Sequence, residues 1–315
     1  MTVSFIIRFH NEEKHIQRCV ENILNQNGDF VKELVFVNDS STDKSIDYVN
    51  SLVKSPLKNS RVKLINIEKG KFTYSSALNL GIANATGDFI ITITVHIDLY
   101  GKEAVANMLK NFNDPKVVGV TSRTLPFNPE NTFSRLSLAK SDVAYKIIRS
   151  KNYFVFPEDK LKLNNYLFSC VFSCMRASIF IDKSNWFREI PRAEDLDWSY
   201  RMVNKGYTII YDPNVVILHH NDDNAKQIAS RWVNANVSLN LTLTSKMLSR
   251  FRIFKSSIYS ITTFMASVIF REKKLLQKFK YFFTLLVVYC YILKAVTLDY
   301  PRISKWEEKY NSSIL

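Results

Sequence analysis

From Val3 to Ser122, short apolar stretches alternate with segments whose apolar residues recur at helical spacing, and few folds accommodate that order. Val3 to Phe9, Glu33 to Val37, Val62 to Ile67, Phe89 to Thr94 and Val117 to Ser122 read as strands. Between them, Glu12 to Leu24 repeats Ile16, Cys19, Val20, Ile23 and Leu24 on one helical face, and a helix beginning at Asp43 carries Ile46, Tyr48, Val49 and Leu52. Tyr74 to Ala83 and Lys102 to Phe112 complete the series. Strand, helix, strand, helix in this order predicts a doubly wound, Rossmann-like α/β layer: a mixed, mainly parallel sheet flanked by helices.

Such sheets bind ligands beyond the carboxyl ends of their strands, so the polar residues there are the first place to look for chemistry. The stretch Ala85 to Asp98 runs from a small-residue turn at Thr86-Gly87, through a buried strand, into Thr94, His96 and Asp98. Alternate residues of an extended strand share a side, so these three are expected to point together. Arg8, Asn11 and Glu12 follow the first strand, and Asn38-Asp39-Ser40-Ser41-Thr42-Asp43 follows the second. Ser41 or Thr42 suits a helix cap. Asp39 suits a carboxylate that accepts hydrogen bonds from a nucleotide base or ribose. Neither a P-loop nor a dinucleotide fingerprint is present, because no glycine-rich loop follows any of the strands.

Residues 125 to 185, broken by Pro126, Pro129 and Pro157, are less regular. Order returns at Pro191, where Glu194 and Asp195 enter a helix with Leu196, Tyr200 and Val203 on its buried face and Gly206 at its stop. A first-turn carboxylate is stabilised by the helix dipole, which serves structure and proton acceptance alike. Thr208 to Tyr211 and Val215 to Leu218 then read as two short strands, the second closing on His219-His220-Asn221. These histidines and His96, both at strand ends, could converge on one ion.

The net charge of +14 implies an anionic partner, and its placement narrows which. From Ala225 onward fifteen Lys and Arg stand against four acids, so about +11 of the total lies there and the first two thirds are nearly neutral. A nucleic-acid groove through the α/β region is thereby disfavoured. The basic region instead surrounds two apolar runs, Ile258 to Phe270 and Tyr281 to Leu293, each shorter than the ~20 residues of a spanning helix. That pattern predicts helices lying on an anionic membrane surface through residues 250 to 315, with a hairpin packed on the protein or on a second copy as the rival reading. Cys19, Cys170, Cys174 and Cys290 form no framework, and Cys170 and Cys174 read as buried thiols. Met1 to Ile7 lacks a basic leader and a cleavage site, so a cytoplasmic setting, peripheral on the inner face of the plasma membrane, is expected.

Six segments taken in order carry a resemblance: F-I-I-R-F-H-N-E-E, V-N-D-S-S-T-D, F-T-Y-S-S-A-L-N-L-G, A-T-G-D-F-I-I-T-I-T-V-H, A-E-D-L-D-W-S-Y-R and H-H-N. Together they resemble glycosyltransferase family 2, of GT-A fold, over roughly residues 1 to 235. Within it, the F-T-Y-x-x-A-L-N segment and Arg123-Thr124-Leu125-Pro126 resemble bacterial rhamnosyltransferase-like enzymes of surface polysaccharide assembly. The resemblance implies that Asp39 binds the nucleotide base, with Arg8, Asn11 and Glu12 in the same pocket and Asn79, Thr94, His96 and Arg123 toward the donor. It implies Asp195 as catalytic base, Glu194 holding acceptor or donor, and Trp198 with Arg201 bracing their helix. It also implies a divalent metal, Mn²⁺ or Mg²⁺. The family's metal-binding Asp-x-Asp falls on Thr94-Val95-His96, which leaves His96, His219 and His220 as the candidate ligands. Ser75-Ser76 stands where relatives often carry Gly-Arg.

The expected organisation is a catalytic domain over residues 1 to 235, its nucleotide-binding part about 1 to 125 and its acceptor part about 126 to 235, followed by a basic, amphipathic helical region over 236 to 315. The expected function is inverting transfer of a sugar, rhamnose or another hexose, from a nucleoside diphosphate donor to a hydroxyl of a glycan or lipid-linked glycan. Homo-oligomerisation is compatible with this. The alternative is a non-catalytic nucleotide-sugar or glycan-binding partner in an assembly complex.

Overall fold

In the computed structural model, residues 1–54, 60–128, 168–190, 192–220, 224–244, 251–255, 257–259, 262 and 275–298 are described. Among them, 1–125, 168–187 and 198–219 form one compact unit, and 126–128, 188–197 and 220–298 belong to a second. Most of the Ile258 to Phe270 run and Pro191 lie outside the described residues.

The first unit is built on an eight-stranded sheet of β1 (Val3–Phe9), β2 (Val31–Asp39), β3 (Arg61–Ile67), β4 (Phe89–Thr94), β5 (Ile97–Leu99), β6 (Val117–Pro126), β7 (Phe172–Arg176) and β8 (Thr208–His219). The strands are ordered β3-β2-β1-β4-β7-β6-β8-β5. The pairs β3–β2, β2–β1 and β1–β4 are parallel, joined by crossover helices α1 (Ile16–Leu24), α2 (Ser45–Lys54) and α3 (Tyr74–Ala83). Beyond β4, β7 pairs antiparallel with both β4 and β6, and β5 with β8. α4 (Ala104–Lys110) precedes β6, and α5 (Glu194–Asn204) precedes β8.

The core follows from the apolar runs. Phe5, Ile7, Leu34, Phe36, Ile91, Ile93 and Phe172 are fully buried in strands, and Ile16, Cys19, Val20 and Ile23 of α1 pack against them. Cys170 and Cys174 are buried thiols as expected, and Cys19 is buried as well. Burial, together with the nearby Glu12 and Asp98 charges, pushes the Cys19 thiol up to about 12, so it stays protonated at neutral pH.

Two elements differ from the sequence reading. β4 ends at Thr94, and a turn over Val95 and His96 leads into β5, so Thr94, His96 and Asp98 do not share one strand face. Asp98 is instead held by Arg18 at 2.9 Å and Asn22 at 3.3 Å, on the outer side of α1. The two short strands expected over 208–218 are one strand, β8. Asp212 makes that continuity possible across Pro213: its carboxylate accepts the Asn214 N–H at 3.0 Å and the Asn111 amide at 2.9 Å.

A buried carboxylate ties the starts of the strands together. Glu33 accepts from the Ser4 hydroxyl at 2.6 Å, from the Thr86 backbone and hydroxyl, and from Lys63 at 2.7 Å. Burial works against its charge, but the Lys63, Ser4 and Thr86 donors outweigh it and hold the carboxyl below the usual range. Gly87 is required beside this cluster, since an added Cβ would stand 2.7 Å from the Ser4 backbone nitrogen.

In the second unit, α6 (Ala225–Thr244) begins with a reciprocal cap in which Asn224 and Gln227 exchange backbone-to-side-chain bonds of 2.9 and 3.0 Å. α7 (Leu275–Leu298) packs against it. The apolar run Tyr281 to Leu293 is thus the middle of a 24-residue helix. By length and composition alone, Lys278–Thr297 could cross a membrane, which the thirteen-residue run read from the sequence could not.

Candidate active site

Parallel pairing lines up the carboxyl ends of β1, β2 and β4 along one edge of the sheet. Arg8 stands opposite Thr94 on one side and Val37 on the other, and Phe9 opposite Asn38. The segment after β1 and the segment after β2 are then laced together. The His10 ring bonds the Asp39 carbonyl, the Asn11 N–H donates to Ser41 Oγ at 3.1 Å, and the Asn11 side-chain oxygen accepts the Thr42 N–H at 2.8 Å. The Glu13 N–H donates to Asp43 at 2.9 Å, and the Lys44 N–H returns to Glu13 at 3.3 Å. Asp43 also caps α2 through Ser45. Partial desolvation raises its pKa, but the Ser45 and Glu13 donors outweigh this and keep the carboxyl below its usual range.

The lacing holds backbone in conformations that side chains resist. Asn11 has φ 53° and Ser40 φ 49°, both left-handed, and left-handed residues other than glycine cost about 1 kcal/mol each. Ser40 is kept there by its hydroxyl on the Ile67 carbonyl at 3.0 Å, and Asn38 is kept by the Asn66 amide at 2.9 Å and the Ser41 N–H at 3.0 Å. Asp39, between them, is half-buried, and its carboxylate makes no hydrogen bond or ion pair among the described residues. Every neighbour in the segment is committed to the scaffold, which leaves this acid able to accept donors from a ligand.

A second cluster forms across β4, β5 and β8. The turn after Thr94 directs His96 so that its Nδ1 lies 2.8 Å from Glu12 Oε1. Antiparallel pairing sets Ile97 opposite His219, and the two imidazoles meet edge to face with centroids 4.9 Å apart. Thr94 Oγ1 is buried with no hydrogen-bond partner among the described residues. Arg8 lies with its guanidinium 5.4 Å from the centre of the Tyr74 ring, a cation–π contact.

Tyr74 opens α3, whose start is fixed by a capping box: Ser76 N–H donates to Thr73 Oγ1 at 2.9 Å, and Thr73 N–H to Ser76 Oγ at 3.0 Å. Ser76 is therefore a helix-start residue. Further along α3, Asn79 gives its amide N–H to the Phe187 carbonyl at 2.8 Å and accepts the Phe187 N–H at 3.0 Å, clamping the segment ahead of α5.

α5 carries the remaining candidates. Ala193, immediately before it, has φ 64°, a left-handed alanine with no side-chain bond to offset the cost. Glu194, Asp195 and Asp197 fill the first turn, and Asp195 accepts the Leu196 N–H at 2.9 Å. The later turns are anchored firmly. Trp198 is fully buried among Phe168, Phe180 and Phe187, with its indole N–H on the Asn185 carbonyl at 2.9 Å. Arg201 donates to the carbonyls of Ser184 at 2.9 Å and Trp186 at 2.7 Å. His220 stacks on Phe127 with centroids 3.8 Å apart.

Residues 4–182, which include Arg8, Asp39 and His96 of this strand-end group, match a family model described as glycosyl transferase family 2. The chain belongs to glycosyl transferase family 2. It is similar to the O-antigen chain rhamnosyltransferase RfbN of Salmonella typhimurium, 24% identical over 238 residues, which span 75% of this chain and 72% of the relative. It is also similar to the O-antigen chain rhamnosyltransferase WbaN of Salmonella anatum, 24% identical over 206 residues, 65% of this chain and 62% of that one. Among solved structures, the mannosyltransferase PcManGT from Pyrobaculum calidifontis in complex with GDP-Man and Mn²⁺ superposes with a TM-score of 0.58 at 15% identity, over 99% of this chain and 85% of that one. TarS 1–349 of S. aureus in complex with UDP-GlcNAc gives 0.53 at 14% identity, over 96% and 92%. At these identities the likeness is one of fold, and the fold is GT-A.

In this family 2 chain, Arg8, Asn11, Glu12, Asp39, Thr94 and His96 all lie at the strand-end edge or in the segments laced to it. Arg123 is on β6 and half-buried. Trp198 and Arg201 tie α5 to the carbonyls of Asn185, Ser184 and Trp186. Two features escaped the sequence reading. The Glu12–His96 pair joins residues far apart in the chain, and no local pattern announces it. The Arg8–Tyr74 contact likewise depends on how α3 enters beside β1.

Proposed function

We propose that this chain is an inverting transferase that moves a hexose, rhamnose or a relative of it, from a nucleoside diphosphate donor to a hydroxyl of a glycan or lipid-linked glycan in surface polysaccharide assembly. The observation that carries the reading is the Asp39 carboxylate, which has no hydrogen bond or ion pair among the described residues, beside Asn11, Asn38, Ser40 and Ser41, which are bonded into the scaffold. A base or ribose donor suits it, and binding the remote nucleotide positions the anomeric carbon for attack. The similarity to RfbN and WbaN supports the rhamnosyl and polysaccharide parts of the reading.

Asp195 is the general base. The acceptor hydroxyl attacks the anomeric carbon, its proton passes to the Asp195 carboxylate, and the bond from that carbon to the diphosphate oxygen breaks with its electron pair leaving on the diphosphate. Configuration inverts because attack and departure are on opposite faces. The first-turn position favours a charged carboxylate. Glu194 holds the acceptor or donor, and Trp198 and Arg201 keep the helix from shifting under load.

The PcManGT complex contains Mn²⁺, so the fit of a divalent ion matters here. A histidine that ligates a metal through one nitrogen usually bonds a carboxylate through the other, and His96 on Glu12 has that arrangement, with Nε2 left for the ion. No group of three or more His, Cys, Asp or Glu able to hold a metal occurs among the described residues. His96, with His219 beside it, would therefore hold the ion together with the donor's own phosphate oxygens, and Mn²⁺ suits imidazole better than Mg²⁺ does. When bound, the ion supplies positive charge to the departing diphosphate. Arg8 and Arg123 are the chain's own cations for the donor side.

A lipid-linked acceptor would place the enzyme on the cytoplasmic face of the membrane. Incubating the protein with a panel of nucleotide sugars and a polyprenyl-linked acceptor tests the whole reading. Nucleoside diphosphate released only when acceptor is present supports it; donor bound without release would make the chain a nucleotide-sugar-binding partner instead.

A further inference from the structure

The two sides of α7 differ sharply in what covers them. Leu285, Val288, Ile292 and Val296 are buried in the unit that contains α6, whereas the opposite side exposes an unbroken apolar strip. Leu275, Phe279, Phe282, Phe283, Leu286 and Leu293 are each 43–69% exposed, and their spacing of three, four and seven places them on one face. At ~1.5 Å per residue the strip is about 27 Å long. A monomer in water does not leave so long a row of Phe and Leu uncovered without a partner for it.

The charge around the strip identifies the partner. From Arg250 to Leu298 the chain has nine Lys and Arg and a single acid, Glu272. Lys280 and Lys294 are exposed on the flank of the strip, and Lys255 is exposed on residues 251–255, where Phe251 is also exposed. An apolar face with a collar of cations and almost no acid matches a leaflet of anionic phospholipid: acyl chains take the Phe and Leu, and phosphates take the ammonium groups. A second copy of the same strip would bring two basic collars together.

A crossing orientation does not fit α7, although its length would allow one. Its packing partner α6 carries Lys226, Gln227, Arg231 and Asn234, and hydrocarbon around the pair would strand those side chains. Only one face of α7 is free for lipid.

We propose that the exposed face of α7 seats the protein in the plane of an anionic membrane, at headgroup depth, without spanning it. This assignment is independent of the transferase reading, because it concerns lipid binding in the absence of donor.

The test is co-sedimentation of the full chain with vesicles of phosphatidylethanolamine containing phosphatidylglycerol, against vesicles of phosphatidylcholine alone. Anionic vesicles should bind at least about tenfold more protein, and raising the salt tenfold should release most of it. The triple variant Phe279→Ser, Phe283→Ser, Leu286→Ser should lose about tenfold in partitioning while keeping its circular dichroism and its nucleotide affinity. Because all three side chains are exposed, folding should survive; Lys280→Gln with Lys294→Gln gives a second, milder variant that should weaken anionic binding alone. Equal binding to both vesicle types, unchanged binding by the triple variant, shielding of the residues after Leu298 from protease added outside sealed vesicles, or a salt-resistant dimer that ignores vesicles would each overturn the proposal.

Discussion

Replacing Asp39 with Asn separates a ligand-binding acid from a structural one, because the two roles predict opposite results in two assays. The Asp39 carboxylate has no hydrogen bond or ion pair among the described residues, and its backbone carbonyl is bonded by the His10 ring. Asn is the same size and leaves that carbonyl in place, so unfolding free energy should change by less than about 0.5 kcal/mol. A charged acceptor facing a base or ribose donor is worth about 1.5 to 3 kcal/mol, so the nucleotide Kd should rise roughly 10- to 150-fold. Isothermal titration with the nucleoside diphosphate, alongside denaturant unfolding of both proteins, measures both quantities. If affinity is unchanged, or if the variant loses stability by more than about 1 kcal/mol, the carboxylate serves the scaffold and the reasoning fails.

Glu33 should behave in the opposite way. Glu33→Gln keeps acceptors for Ser4 and Thr86 but leaves Lys63 without its anion; since Lys63 is about a third exposed and can rehydrate, the loss should be about 2 kcal/mol of stability with nucleotide affinity intact. The Glu33 carboxyl is held below its unfolded value, so its contribution is complete above about pH 4.3 and fades as pH falls through the lower folded value; the gap between wild type and variant should therefore close in acid. His96→Ala should cut transfer by at least about tenfold and remove most of the response to added Mn²⁺, and wild-type activity that ignores both a chelator and this substitution would leave the diphosphate to Arg8 and Arg123.

Much of the parallel half of the sheet could be read from the chain. β1, α3 and β4 begin and end where the apolar runs put them, because local pattern and tertiary role agree there. The antiparallel half was less legible. β7 follows a stretch without period, and β5 is three residues long, formed only because β8 reaches back to pair with it. That pairing sets His219 beside His96, a convergence the strand-end histidines had suggested, but it removes Asp98 from the strand-end group to which alternation assigned it. Asn79 shows a similar limit: its place in the F-T-Y-S-S-A-L-N segment suggested the donor, whereas its amide is engaged with Phe187. In α7, Lys278, Lys280 and Lys294 interrupt an apolar run without interrupting a helix, which is why the run looked short.

The central claim is that Asp195 takes the proton from an acceptor hydroxyl while a nucleoside diphosphate departs. The direct measurement is acceptor-dependent release of nucleoside diphosphate by wild type and by Asp195→Asn, with the anomeric configuration of the product read by NMR. The account predicts an inverted product and a rate at least about a hundredfold lower in the variant, at unchanged donor affinity and unchanged fold. A variant that keeps most of the wild-type rate, or a product of retained configuration, would contradict it.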